Sequence, residues 1–174
     1  MKYVIKSDTI NLQPSVLSVL IGVNDTWHEF GSQNGVAVPK YERVCREFLA
    51  EVLVDLPNVK LVLCEPFVLD CGVVVDGWRQ EIDQRRVVVK KLAKVRLLRR
   101  LLVLLLLSDA ATLLPRQEFG ATVVEFQKLF DQAVKLAPPD YWAKDGVHPT
   151  QAGHALMAVE WRKATGGGGS PSKL

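Results

Sequence analysis

Between Pro39 and Pro57 the apolar residues Tyr41, Val44, Cys45, Phe48, Leu49, Val52, Leu53 and Leu56 recur at intervals of three and four. That spacing puts them on one stripe of an α-helix, opened by one proline and closed by the other. A one-sided helix needs an apolar surface to lie on, and short continuous apolar runs flank it in sequence. Ser15 to Ile21 runs into Gly22-Val23-Asn24-Asp25, and Val59 to Cys64 runs into Glu65-Pro66. Runs of this length predict strands covered on both faces. Ala121 to Val124 reads as a third strand. Trp78 to Lys94, Phe126 to Leu136, and a segment from Thr150 to about Arg162 read as helices, the last with Thr150 as its N-cap. Strands alternating with helices predict an α/β fold with a parallel sheet.

A chain of 174 residues fits one domain, and 48% hydrophobic residues is enough to build its core. The net charge of +3 is mild. Its basic clusters, Arg85-Arg86, Lys90-Lys91 and Arg96 to Arg100, read as a solvated helix face. A nucleic-acid surface would be broader and interleaved with aromatics. Cys45, Cys64 and Cys71 lack metal-ligand spacing. Cys45 falls on the helix stripe, and Cys64 and Cys71 read as buried thiols in preference to a bridged pair. No signal peptide pattern follows Met1. No Gly-rich phosphate loop follows a strand, which argues against a nucleotide-binding module.

Two segments sit outside this pattern. Val95 to Gln117 contains Leu101-Leu102-Val103-Leu104-Leu105-Leu106-Leu107, which lacks helical amphipathicity and falls short of the about 18 apolar residues of a membrane span. It reads either as a long buried helix or as an insertion, since its removal would join Lys94 to Glu118 in an ordinary helix-to-strand turn. Its Lys-Val start and Gln end fit the boundary codons of a retained intron. Residues 164–174 form a glycine-rich tail ending in Ser172-Lys173-Leu174, the tripeptide of a peroxisomal address, so a peroxisomal location stands beside a cytoplasmic one.

The residues that carry chemistry lie at the two ends of the expected domain, residues 1–163. In an open parallel sheet ligands bind beyond the carboxyl ends of the strands, where Asn24 stands. A side-chain amide there can donate to a developing oxyanion, an interaction worth ~2.7–4 kcal/mol in acyl transfer. In Asp145-Gly146-Val147-His148-Pro149, His148 can act as general base, and Asp145 can accept its other ring N–H and set the tautomer. A blander reading has Asp145 making a turn and His148 capping the helix at Thr150.

Taken together, Gly22-Val23-Asn24-Asp25 and Asp145-x-x-His148-Pro149 resemble the third and fifth blocks of the SGNH hydrolases, the GDSL lipase/esterase family. Thr26-Trp27 and Cys64-Glu65-Pro66-Phe67 extend the likeness to bacterial-type members. The resemblance implies a three-layer, flavodoxin-like SGNH hydrolase fold and serine-dependent hydrolysis of carboxylic esters, whether acyl or acetyl. It implies Asn24 as oxyanion-hole donor, Asp145 and His148 as catalytic acid and base, and Gly22 as support through close packing. Such chemistry needs a small-molecule ester and no metal or organic cofactor. The family's Gly-Asp-Ser block has no counterpart; Ser7-Asp8 reverses its order and lacks the glycine, so no nucleophile is identified. The chain therefore reads as N-terminally truncated relative to the family, which would leave the Ser15 to Ile21 strand as an exposed apolar edge, with an inactive SGNH-like binding module as the alternative. Tyr141-Trp142 is placed to shape an acyl or sugar pocket, and His28 and His154 read as surface positions.

Overall fold

In the computed structural model, which describes residues 6–94 and 120–167, three strands form one sheet in the order β1 (Val16–Val19), β2 (Lys60–Cys64), β3 (Thr122–Val124). Both pairings are parallel, with Val16 opposite Lys60 and Val62 opposite Thr122. Parallel neighbours require long crossovers. The first consists of α1 (Val23–Ser32) and α2 (Val38–Asp55); α3 (Trp78–Ala93) follows β2. After β3 come α4 (Phe126–Ala133), the short α5 (Pro139–Trp142) and α6 (Gln151–Ala164).

The strand alternation sorts side chains into two cores. Leu17, Val19, Leu61 and Leu63 point to one face and meet Leu49 and Val52 of α2 and Val88 and Leu92 of α3. Val62, Cys64 and Val124 point to the other and meet Phe126 and Phe130 of α4 and Met157 of α6. Helices thus cover both faces, and the chain is a three-layer α/β/α domain. The α2 stripe behaves as its spacing predicts, with Tyr41, Cys45, Leu49 and Val52 buried. Thr150 caps α6, its hydroxyl accepting from Gly153 N at 3.2 Å. Residues 6–8 are helical and Ile10–Leu12 form a 3-10 turn, which leads into β1.

Two expectations are corrected. β1 is shorter than Ser15 to Ile21 and is not covered on both faces. Val16, Ser18 and Leu20 are exposed, while Leu17 and Val19 are half-buried. Among the described residues β1 pairs with β2 alone, and on its open face Trp161 of α6 reaches only as far as Ser18, donating to Oγ at 3.0 Å. The second correction concerns Arg85, which is fully buried and not part of a solvated face. It occupies the inward stripe of α3 together with Trp78, Ile82, Val89 and Leu92.

The stretch after β2 is pinned by a buried amide. Gln127 accepts from Val68 N at 2.9 Å and donates to Val68 O at 3.0 Å, satisfying both backbone groups of a segment that has left the sheet. Cys45 and Cys64 are buried and Cys71 is half-buried, all three as free thiols. Among the described residues no helix is long and apolar enough to cross a membrane. The expected insertion, residues 95–117, and the terminal Ser-Lys-Leu lie outside the described residues.

The two sides of α3 give a direct test of the packing. Ile82 is fully buried, whereas Val87 keeps 66% of its surface. Ile82→Ala should lower unfolding stability by ~2–5 kcal/mol in denaturant titration. Val87→Ala should stay within about 0.5 kcal/mol. Equal effects would contradict the placement of the helix.

Candidate active site

The Asp145 loop is built as a closed, stitched turn. Ala143 and Pro149 bridge its ends, and Thr150 donates to Trp142 O at 2.9 Å from N and to Tyr141 O at 2.7 Å from Oγ1. From the other side the segment after β2 grips it: Leu69 N donates to Gly146 O at 2.9 Å and Val73 N to Asp145 O at 3.1 Å. Cys71 Sγ adds a contact to Ala143 O at 3.2 Å. Gly146 has φ +85°, and a Cβ there would lie 2.5 Å from the Leu69 and Cys71 carbonyl oxygens, so only glycine lets the two segments meet.

Within that turn Asp145 is saturated. Its Oδ1 accepts from Val147 N at 3.0 Å and His148 N at 2.7 Å, and its Oδ2 lies 2.7 Å from His148 Nδ1. With the proton on Nδ1 the imidazole donates to the carboxylate and leaves Nε2 as the acceptor, the tautomer a general base needs. Asp145 therefore both makes the turn and orients the histidine. The helix cap is Thr150, not His148. Partial burial pushes the Asp145 pKa upward, but the hydrogen bonds from the His148 ring and from the two backbone N–H groups overcome it and hold the value down at about 2.

The other half of the site arrives on α1. Gly22, with φ +116°, turns the chain from β1 into this helix, and a Cβ there would press within 3.1 Å of the Tyr41 ring. Asn24 is exposed in the first turn. On either side of it, Val23 and Trp27 pack into a small core with Val68, Trp78, Ile82 and Val147. Val147 belongs to the Asp145 turn, so the helix carrying Asn24 and the loop carrying His148 share one apolar contact. The Trp27 ring lies 5.8 Å from the His148 ring. Trp27 had no assigned role in the sequence; its spacing of three from Asn24, which puts both on one helix face, is the only local signal for it.

Beneath α1 sits Arg85. Its Nε donates to Thr26 Oγ1 at 3.0 Å, its Nη2 donates to Val36 O at 2.7 Å and to Glu81 Oε1, and its Nη1 lies 3.8 Å from Asp25 Oδ2. Thr26 in turn donates to Glu81 Oε1 at 3.1 Å. The guanidinium also lies 5.1 Å from the centroid of Tyr41, whose hydroxyl donates to Ile21 O at 3.3 Å. One buried cation thus contacts α1, α2, the connection between them, and α3. Burial raises the Asp25 pKa, with Arg85 opposing.

Among the described residues no serine hydroxyl is hydrogen-bonded to His148. Ser18 accepts from Trp161 and lies 3.5 Å from Cys64 Sγ, on the α6 side of the sheet. His28 and His154 are exposed. Trp142 is committed to bracing the turn after α4, its Nε1 donating to Ala133 O at 3.1 Å and Ala137 O at 3.2 Å, with Tyr141 exposed at its edge. The ring against the histidine is Trp27. No group of His, Cys, Asp and Glu among the described residues could hold a metal ion.

Comparison with known proteins places these features in context. The family model for GDSL-like Lipase/Acylhydrolase matches residues 3–161. An acetylxylan esterase from Geobacillus stearothermophilus is 28% identical over 166 residues, covering 92% of this chain; the chain spans 64% of that relative's length. The crystal structure of an acetylxylan esterase from the same organism superposes with a TM-score of 0.71 at 27% identity, over 95% of this chain and 65% of that one. Solved catalytic mutants of that esterase replace a serine or an aspartate by alanine. A protein from Parabacteroides merdae described as a GDSL-like lipase gives a TM-score of 0.78 at 38% identity, over 95% of this chain and 66% of that one.

The depressed Asp145 pKa fixes the sign of a pH effect. Stability from its hydrogen bonds is fully present above the ordinary carboxylate value of about 4 and is lost as pH falls toward about 2. Denaturant titrations should therefore show a steeper acid-side loss for the natural chain than for Asp145→Asn. Superimposable acid limbs would contradict the pairing.

Proposed function

The chain belongs to the GDSL-like lipase/acylhydrolase family, and from that membership we propose that its site serves serine-dependent hydrolysis of carboxylic esters. His148 is the general base that takes a hydroxyl proton on Nε2, and Asp145 holds the ring and balances the imidazolium that results. Asn24 donates its side-chain amide to the oxyanion of the tetrahedral intermediate. The observation that carries this reading is the Asp145–His148 hydrogen bond of 2.7 Å in a loop that shares its apolar support with the Asn24 helix. The aspartate replaced in a catalytic mutant of the Geobacillus esterase supports a role for Asp145 of the same kind.

The substrate we propose is an acetyl ester carried on a sugar chain. Support comes from the Geobacillus relative, whose structures are described as those of an acetylxylan or acetyl-xylooligosaccharide esterase. We further propose that the 174 residues supply acid, base and oxyanion donor but not the attacking oxygen. The absence of a serine bonded to His148 among the described residues supports this. The same observation favours a second reading, a binding module that holds an acylated sugar without cleaving it.

Loss of the nucleophile alone costs on the order of 10⁶ in kcat in a serine hydrolase. The 174-residue chain should therefore hydrolyse p-nitrophenyl acetate barely above the uncatalysed rate. A form extended upstream by a Gly-Asp-Ser segment should turn it over in a manner abolished by His148→Ala. Robust His148-dependent turnover by the short chain would mean that one of its own serines attacks. No turnover by the extended form would favour the binding module.

A further inference from the structure

The aromatic contacts that begin at His148 and Trp27 continue through Trp78 of α3 to Phe30, back on α1. Trp27 lies 5.7 Å from Trp78, and Trp78 lies 6.0 Å from Phe30, one helical turn beyond Trp27. Trp78 is buried, whereas Phe30 keeps 42% of its surface. Phe30 is held in place from below, since a Cβ at Gly77 would lie 3.1 Å from its ring. It opens onto a cleft of about 560 Å³ between the α1–α2 connection and the start of α3.

The walls of this cleft are mixed: Phe30 and the stretch from Val36 to Pro39 give apolar surface, and polar side chains face it from α1 and α3. Gln80 and Gln84, four residues apart on one face of α3, are exposed, and their side-chain amides make no hydrogen bond with the described residues. Glu29 stands on the α1 side, its Oε2 accepting from Gly35 N at 3.1 Å, and the Glu81 carboxylate also borders the space. Among the described residues no lysine or arginine lines it. An anionic ligand would meet the Glu29 carboxylate, while the Glu81 charge is already paired with the buried Arg85. A purely apolar one would strip water from two amides and leave them unpaired. A neutral polyhydroxylated chain suits both features: its C–H faces can lie on the Phe30 ring, and its hydroxyls can exchange hydrogen bonds with amide groups that both donate and accept.

We propose that this cleft is a distal subsite for a neutral oligosaccharide, which lies along α1 with its acylated residue at Asn24 and His148. The proposal rests on the ester-hydrolase reading of the site and adds where the unreacting part of the substrate is held. Binding energy gathered so far from the reacting bond would position the ester for attack.

The test needs no turnover. Amide chemical shifts of the 15N-labelled chain are followed during titration with xylobiose and with xylotetraose, neither acetylated. Xylotetraose should perturb the amides of Phe30, Gln80 and Gln84 together with those around His148, and xylobiose only the latter. Phe30→Ala should weaken xylotetraose on the order of tenfold while leaving xylobiose unchanged. Gln84→Ala, at an exposed position, should weaken it in the same direction. Shifts confined to the His148 loop, or affinities untouched by both substitutions, would overturn the subsite and leave the ester-hydrolase reading standing. Absence of shifts at either place would overturn the subsite and the sugar-ester substrate together, while p-nitrophenyl acetate turnover by the extended form still reports on ester hydrolysis itself.

Discussion

A single buried cation organises the end of the sheet where the site forms. Arg85 is surrounded by Thr26, Glu81, the Val36 carbonyl, Asp25 and the face of Tyr41. Isolated in an apolar interior such a charge would be prohibitively costly, and its partners offset that only when their geometry is right. The contacts therefore act as a constraint: α1 has few positions in which Thr26 and Glu81 can both satisfy the guanidinium. Because Val23 and Trp27 sit on the same helix, fixing Thr26 fixes their approach to Val147 and His148.

The opposite side of the site is fixed by backbone rather than by charge. Three donors converge on the Asp145 carboxylate, and the segment after β2 is laced to the same turn, itself held by the Gln127 amide. An imidazole held this way would need little reorganisation in the general-base role proposed for it. The imidazole is exposed, and its ring neighbour among the described residues, Trp27, belongs to the helix that carries Asn24. Rigidity in the loop and rigidity in the helix come from different physics, and they meet in the small core around Ile82 and Trp78.

What could be read in the chain follows from how local each cause is. The α2 stripe from Tyr41 to Leu56 was legible because every turn repeats the same signal, and the parallel sheet followed from the alternation of such stripes with short apolar runs. Asp145 and His148 were legible because their partnership spans three residues of one turn. Arg85 was misread because a basic pair next to Arg86 looks like a solvated face. Its spacing of three from Ile82 and four from Val89 nonetheless placed it on the buried stripe. The exposure of β1 had no local signature, since a continuous apolar run reads the same whether or not a neighbour covers it. Trp27 gained its role only when folding brought residues 121 positions apart, Trp27 and His148, into ring contact.

The central claim is that the buried charge cluster sets α1 against the histidine, and nuclear Overhauser contacts between the Trp27 indole and the His148 ring report on it directly. Arg85→Met combined with Glu81→Gln removes the hydrogen-bonded pair and avoids leaving either of its members alone, which by itself would cost ~3–5 kcal/mol; the third charge, Asp25, keeps 29% of its side chain in solvent. The account predicts a chain that keeps its helical circular dichroism and the Asp145–His148 hydrogen bond but loses the Trp27–His148 contact. If that contact persists at full intensity in the double variant, α1 is placed by its apolar packing alone and Arg85 does not position the site.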